Sequence, residues 1–84
     1  MSMKTVIEER MNQLGLNQLG LTQEVCKVRA VDGVVPPTTR YQSSVRKALL
    51  DPQHVTYYVI EDLIKALDGE IIVRWNNRTD VKAL

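Results

Sequence analysis

Between residues 27 and 47 the chain carries Lys27, Arg29, Arg40, Arg46 and Lys47 against one acid, Asp32. This is a local excess of four positive charges inside a chain whose net charge is +1. Interleaved with the cations are Thr38, Thr39, Tyr41, Gln42, Ser43 and Ser44, which donate and accept hydrogen bonds. Lys, Ser and Thr hold phosphate oxygens well, while Arg can pair bidentately with guanine and Gln with adenine. A solvated basic helix face uses the same residue types, so charge by itself does not choose between the two.

Other chemistry finds little material. A nucleophile needs a base beside it, and a general acid or base needs a tuned group in a cleft. Cys26 adjoins an apolar stripe, where a small buried thiol is the ordinary role. His54 falls in a Pro-containing connection, and Glu8-Glu9 and Glu61-Asp62 are adjacent pairs that diverge on a helix. There is no Gly-rich phosphate loop. One Cys and one His exclude a disulfide framework within the chain and leave too few soft ligands for an ordinary metal centre. The expectation is no enzyme, no metal and no cofactor.

The chain has 84 residues, of which 44% are hydrophobic and only four aromatic. That is one small domain with an aliphatic core, short enough to lean on a partner for burial. No apolar run approaches the ~18 residues of a membrane span, and residues 1–10 lack the apolar stretch of a secretory leader. A reducing cytoplasmic setting, away from membranes, is expected.

The elements follow from periodicity. Ile7, Met11 and Leu14 predict a helix over 3–14 with Gly15 as its stop. A tandem repeat comes next, Leu14-Gly15-Leu16-Asn17-Gln18 and Leu19-Gly20-Leu21-Thr22-Gln23, too short for a solenoid. Thr22 as cap and a stripe of Leu21, Val25 and Val28 predict a second helix over 22–30. Asp32-Gly33 and Pro36-Pro37 make 31–37 a connection. A capping box of Thr39 with Gln42, or Thr38 as the cap, opens a third helix over 40–49, with Tyr41, Val45, Ala48 and Leu49 on one face. Asp51-Pro52 ends it. The stripe of Val55, Val59, Ile60, Leu63, Ile64 and Leu67 predicts a fourth helix over 55–67, with Gly69 just past its end. The period then changes to two, and Ile71-Ile72-Val73-Arg74-Trp75 reads as a strand.

In this order Leu21-Thr22-Gln23-Glu24-Val25-Cys26-Lys27 resembles the opening of the helix-turn-helix in Cro/C1-type (XRE-family) regulators. Thr38-Thr39-Arg40-Tyr41-Gln42-Ser43-Ser44-Val45-Arg46-Lys47 resembles their recognition helix. Asp51-Pro52 and Leu63-Ile64-Lys65-Ala66-Leu67-Asp68-Gly69 resemble the family's proline and final helix. The resemblance spans roughly residues 3–69. Three features depart from it: Cys26 replaces a usual Ala, the turn between the motif helices is longer, and Leu49-Leu50 replaces a usual Gly.

The resemblance implies a mainly α fold, a lambda-repressor-like domain of four helices over 1–69 that binds double-stranded DNA. It implies that Tyr41, Gln42 and Arg46, with Ser43 close by, read bases. Thr22, Gln23 and Thr39 correspond to positions that meet the phosphate backbone at helix N-termini. By charge and residue type, Lys27, Thr38, Arg40 and Lys47 join the backbone set.

The strand over 71–75 needs a partner for its backbone groups. It can pair with the same strand of a second chain, fold back at Asn76-Asn77 onto 78–82, or pair with the N-terminal segment. The first is preferred. It makes 70–84 a dimerisation segment through Ile71, Ile72, Val73, Arg74 and Trp75, with Ile71, Val73 and Trp75 on the face toward the core or a partner. The overall expectation is a homodimeric, sequence-specific transcriptional repressor. The competing functions are the antitoxin of a toxin–antitoxin pair and a protein-interaction module with no DNA role.

Overall fold

The computed structural model describes residues 2–76 and 80–82. Helix α1 spans Met3–Leu14, as its periodicity predicts. Ser2 caps it, its Oγ accepting the Thr5 N–H at 3.2 Å. At the other end Gly15 takes a left-handed conformation, φ 68°. The N–H groups of Gly15 and Leu16 then reach back to the carbonyls of Asn12 and Met11, satisfying orphan acceptors of the last turn.

Helix α2 spans Gln18–Val28, four residues earlier than its predicted start. Its cap is Asn17, whose Oδ1 accepts the Gly20 N–H at 2.8 Å. Thr22 is therefore mid-helix. It is buried, 1% exposed, and its hydroxyl donates to the Gln18 carbonyl at 2.8 Å. The tandem repeat thus has two fates: its first copy closes α1 and opens α2, and its second lies wholly within α2. Gly15 ends a helix, whereas Gly20 is carried inside one because Asn17 has already initiated it.

Past α2, Asp32 and Gly33 have φ 51° and 79°, a tight turn of the type that Asp-Gly favours. Val31 and Val34 exchange both backbone hydrogen bonds across it, at 3.1 and 2.9 Å. Pro37 is extended, and a 3-10 turn, Thr38–Arg40, leads into helix α3, Gln42–Leu50. No side chain caps α3; Tyr41 occupies the cap position. The predicted Thr39–Gln42 box is absent because Thr38 and Thr39 lie in the 3-10 turn, where the Thr38 carbonyl already takes the Tyr41 N–H.

A second 3-10 turn, Pro52–His54, connects to α4, Tyr57–Ala66, which has Thr56 at its cap position and starts at residue 57 rather than at 55. The left-handed residue at its end is Asp68, φ 59°, and not Gly69. The Asp68 N–H donates to the Lys65 carbonyl at 3.0 Å and the Gly69 N–H to Ile64 at 2.9 Å. Arg10 of α1 adds its Nε to the Leu67 carbonyl at 3.0 Å, tying the first helix to the end of the last.

All four helices enter one core: Ile7 and Met11; Leu21 and Val25; Val45 and Ala48; Ile60, Leu63 and, just past α4, Leu67. Cys26 is buried beside it. Leu14 and Val28, expected in the buried stripes, are exposed.

Strand β1, Ile72–Arg74, pairs antiparallel with β2, Asp80–Lys82, with Val73 opposite Val81. One edge of β1 is thus satisfied within the chain, by the fold-back and not by the preferred second copy. Val73 and Trp75 do not cover their own core. They are exposed along with Ile72, and only Ile71 packs against it.

Candidate functional site

The five cations of residues 27–47 separate into two groups. Lys27 is exposed and pairs with Glu24 on its own helix at 3.0 Å. Arg29 is half-buried and turns toward α4: its Nε and Nη2 lie 2.8 and 2.7 Å from Asp62 Oδ2, and its guanidinium stacks 5.0 Å from the Tyr58 ring centroid. The hydrogen bond to Asp62 raises the Arg29 pKa above its ordinary value, with burial opposing and the Coulomb attraction of the carboxylate adding. Arg29 is a structural cation. Arg40, Arg46 and Lys47 have no acid partner among the described residues.

Helix α3 divides by face. Val45 and Ala48 are buried, while Gln42, Ser43, Arg46 and Lys47 are exposed. Positions i, i+1, i+4 and i+5 share one side of a helix, so these four form a single polar strip. Gln42, Ser43 and Arg46 also line a groove of about 460 Å³ with Gln18, Leu19 and Thr22 of α2. The strip is therefore set beside the first turn of α2. Because α2 begins at Gln18, its opening N–H groups are located there and not at Thr22 and Gln23. Buried Thr22 is not placed as a phosphate ligand, and Gln23 is exposed but a turn inside the helix.

The remaining expected positions scatter. Tyr41 is half-buried and packs against the core. It lines a different cleft, with Arg29, Arg40, Ser44 and Tyr58, so it stands apart from Gln42, Ser43 and Arg46. Thr38 is half-buried, and Thr39 and Arg40 are exposed on the turn before α3. Of the five residues expected to serve dimerisation, Ile72, Val73, Arg74 and Trp75 are exposed and Ile71 is half-buried.

Asn17, Gln18 and Leu19 were missed, because Gly15 and Gly20 make 15–21 look like a connection. The available signal was Asn17 itself, a favoured cap two residues after a helix-stopping Gly.

Cys26 is 1% exposed, and burial raises the pKa of its thiol. His54 Nδ1 lies 2.6 Å from Asp51 Oδ2 on an exposed turn. Among the described residues no group of three or more His, Cys, Asp or Glu could hold a metal, and no helix is long and apolar enough to cross a membrane. The chain matches no family model, no curated protein and no solved structure.

Proposed function

We propose that the chain is a sequence-specific double-stranded DNA binder, with α2 and α3 acting as a helix-turn-helix and α3 lying in the major groove. One observation carries this: the exposed strip of Gln42, Ser43, Arg46 and Lys47, containing two cations without acid partners, beside the first turn of α2. A helix of ~10–12 Å diameter fits a major groove ~12 Å wide. Arg46 and Gln42 carry the groups that pair bidentately with guanine and adenine, and Ser43 adds a hydroxyl between them. Lys47, Arg40 and Thr39 are accessible for phosphates, as are the unbonded N–H groups of the first turn of α2. The element order resembles that of Cro/C1-type regulators, apart from the longer connection through residues 29–37 and the earlier start of α2.

Regulation as a repressor would need no more than occupation of the site, and two-fold pairing would match a palindromic one. Among the described residues the sheet has two strands, so one edge of β1 faces away from β2. A second copy added there would cover Ile72, Val73 and Trp75, which are 52%, 39% and 55% exposed. The same apolar residues would serve a toxin if the chain is an antitoxin. Sedimentation of the chain alone as a dimer supports the first use, and a monomer supports the second.

The test is selection from a random duplex pool, then affinity for the enriched sequence against salt. An enriched site whose log affinity falls linearly with log salt is expected. A chain that enriches nothing, with duplex affinity unchanged between about 50 and 200 mM salt, refutes the proposal.

A further inference from the structure

A cleft of about 320 Å³ lies between the end of α2, the start of α3 and the start of α4, away from the Gln42–Arg46 strip. Its volume falls in the range of small-molecule sites. Buried Val25, Val45 and Leu63 make an apolar floor, and Tyr41 and Tyr58 supply aromatic surface. Two polar features point into it. Arg40 brings a cation with no acid partner among the described residues. Asp62 brings an acceptor. Both Arg29 contacts fall on Oδ2, so Oδ1 has no protein partner, yet no buried side-chain oxygen is left unsatisfied. Oδ1 therefore keeps some exposure, and Asp62 is one of the residues that line the cleft.

We propose that this cleft binds a small aromatic acid bearing an N–H group. The ring would lie on the apolar floor against the tyrosines, the ligand carboxylate would meet Arg40 and the Ser44 hydroxyl, and the N–H would donate to Asp62 Oδ1. Each feature excludes a ligand class. A purely apolar molecule leaves Oδ1 unmatched, an N–H compound without an acid leaves Arg40 unmatched, and a dianion has one uncompensated cation to meet, since Arg29 is neutralised by Asp62. Resting on the DNA reading, the bound acid would take Arg40 from the phosphates and weaken DNA binding.

The experiment titrates the isotopically labelled full chain with indole-3-acetate, indole and naphthalene-1-acetate while following amide resonances. Indole-3-acetate should give saturable shifts at Arg29, Tyr41, Ser44 and Tyr58, with the two analogues roughly tenfold weaker or more. Arg40→Gln, at an exposed position, should bring indole-3-acetate down to the level of indole and leave indole unchanged. No saturable shift up to about 10 mM, equal binding of all three compounds, or an Arg40→Gln chain that binds indole-3-acetate as before would overturn the site. A chain that binds the acid at this cleft but no duplex at low salt supports the site and refutes only the DNA reading.

Discussion

Replacing Arg29 by Met tests the division of the cations most directly. By composition Arg29 belongs with the basic segment, but the structure puts it on Asp62 and Tyr58. Asp62 has a side chain 10% exposed, whereas that of Arg29 is 36% exposed. Breaking a fully buried pair costs about 3–5 kcal/mol and an exposed one about 0–1. Because solvent screens the Arg29 side, the loss should fall between, at about 2 kcal/mol, including about 0.5 for the ring contact. For a domain of this size each 1 kcal/mol moves the melting temperature by about 4–8 °C, so a fall of about 8–16 °C is expected. Asp62→Leu with Arg29→Met should recover part of it, since the carboxylate is then no longer stranded. Thermal unfolding of the two single variants and the double gives the coupling energy. The salt dependence of duplex binding should stay at the wild-type slope in Arg29→Met at a temperature where it is folded. A melting temperature unchanged within about 2 °C, or a reduced salt slope in the folded variant, would refute the structural assignment of Arg29.

Four further outcomes are expected. Arg46→Ala should cost about 1–3 kcal/mol on the selected DNA site and relax preference at one base position, while Lys47→Ala weakens all duplexes alike; binding titrations on site variants check this. Asp68→Gly should stabilise the fold by about 0.5–1 kcal/mol in chemical denaturation, because Asp68 holds φ 59° where Gly has no Cβ to strain. Native Cys26 should label with a thiol reagent only as fast as the protein unfolds. Its folded pKa is raised, so the thiol contribution is complete below the ordinary value of 9.0 and is lost as pH rises beyond it; wild type should lose more stability than Cys26→Ala in that alkaline window. Arg10→Ala, removing the bond to the Leu67 carbonyl, should cost about 1 kcal/mol by the same unfolding assay.

Where the period was long and uninterrupted, the helices were legible. Residues 3–14 are recovered as α1, and of the stripe Val55, Val59, Ile60, Leu63, Ile64 and Leu67 the structure buries Ile60 and Leu63 on α4 and Leu67 just past its end, the other three being partly buried. The starts of the later helices were less legible, since residue type offered a cap that the backbone does not use. Thr22 looks like a cap by residue type, but Asn17 initiates the helix earlier and Thr22 hydrogen-bonds back along it. Thr39 and Gln42 have capping-box spacing, yet the two prolines before them lead into a 3-10 turn that holds Thr38–Arg40 and leaves Tyr41 at the cap position of α3. Asp68 was overlooked because Gly69 is the commoner left-handed residue. Its amide instead closes the helix from one position later.

Residue type located the candidate strip but could not say which charges were committed elsewhere. Arg29 and Asp62 are 33 positions apart, and nothing in local spacing joins them. Once α2 and α4 pack, that pair forms, and its cation no longer counts toward a surface that attracts phosphates. Lys27, balanced by Glu24 one turn earlier, was open to detection from i, i+3 spacing alone. Of the five cations of residues 27–47, those without an acid partner among the described residues are therefore Arg40, Arg46 and Lys47, all on the short stretch entering and lining α3. The same packing separates Tyr41 from Gln42. Adjacent in sequence, the two lie across the helix start, one lining the cleft beside Tyr58 and the other the groove beside Gln18. A ligand against Tyr41 could thus act on the element that carries Gln42 and Arg46 without occupying their face.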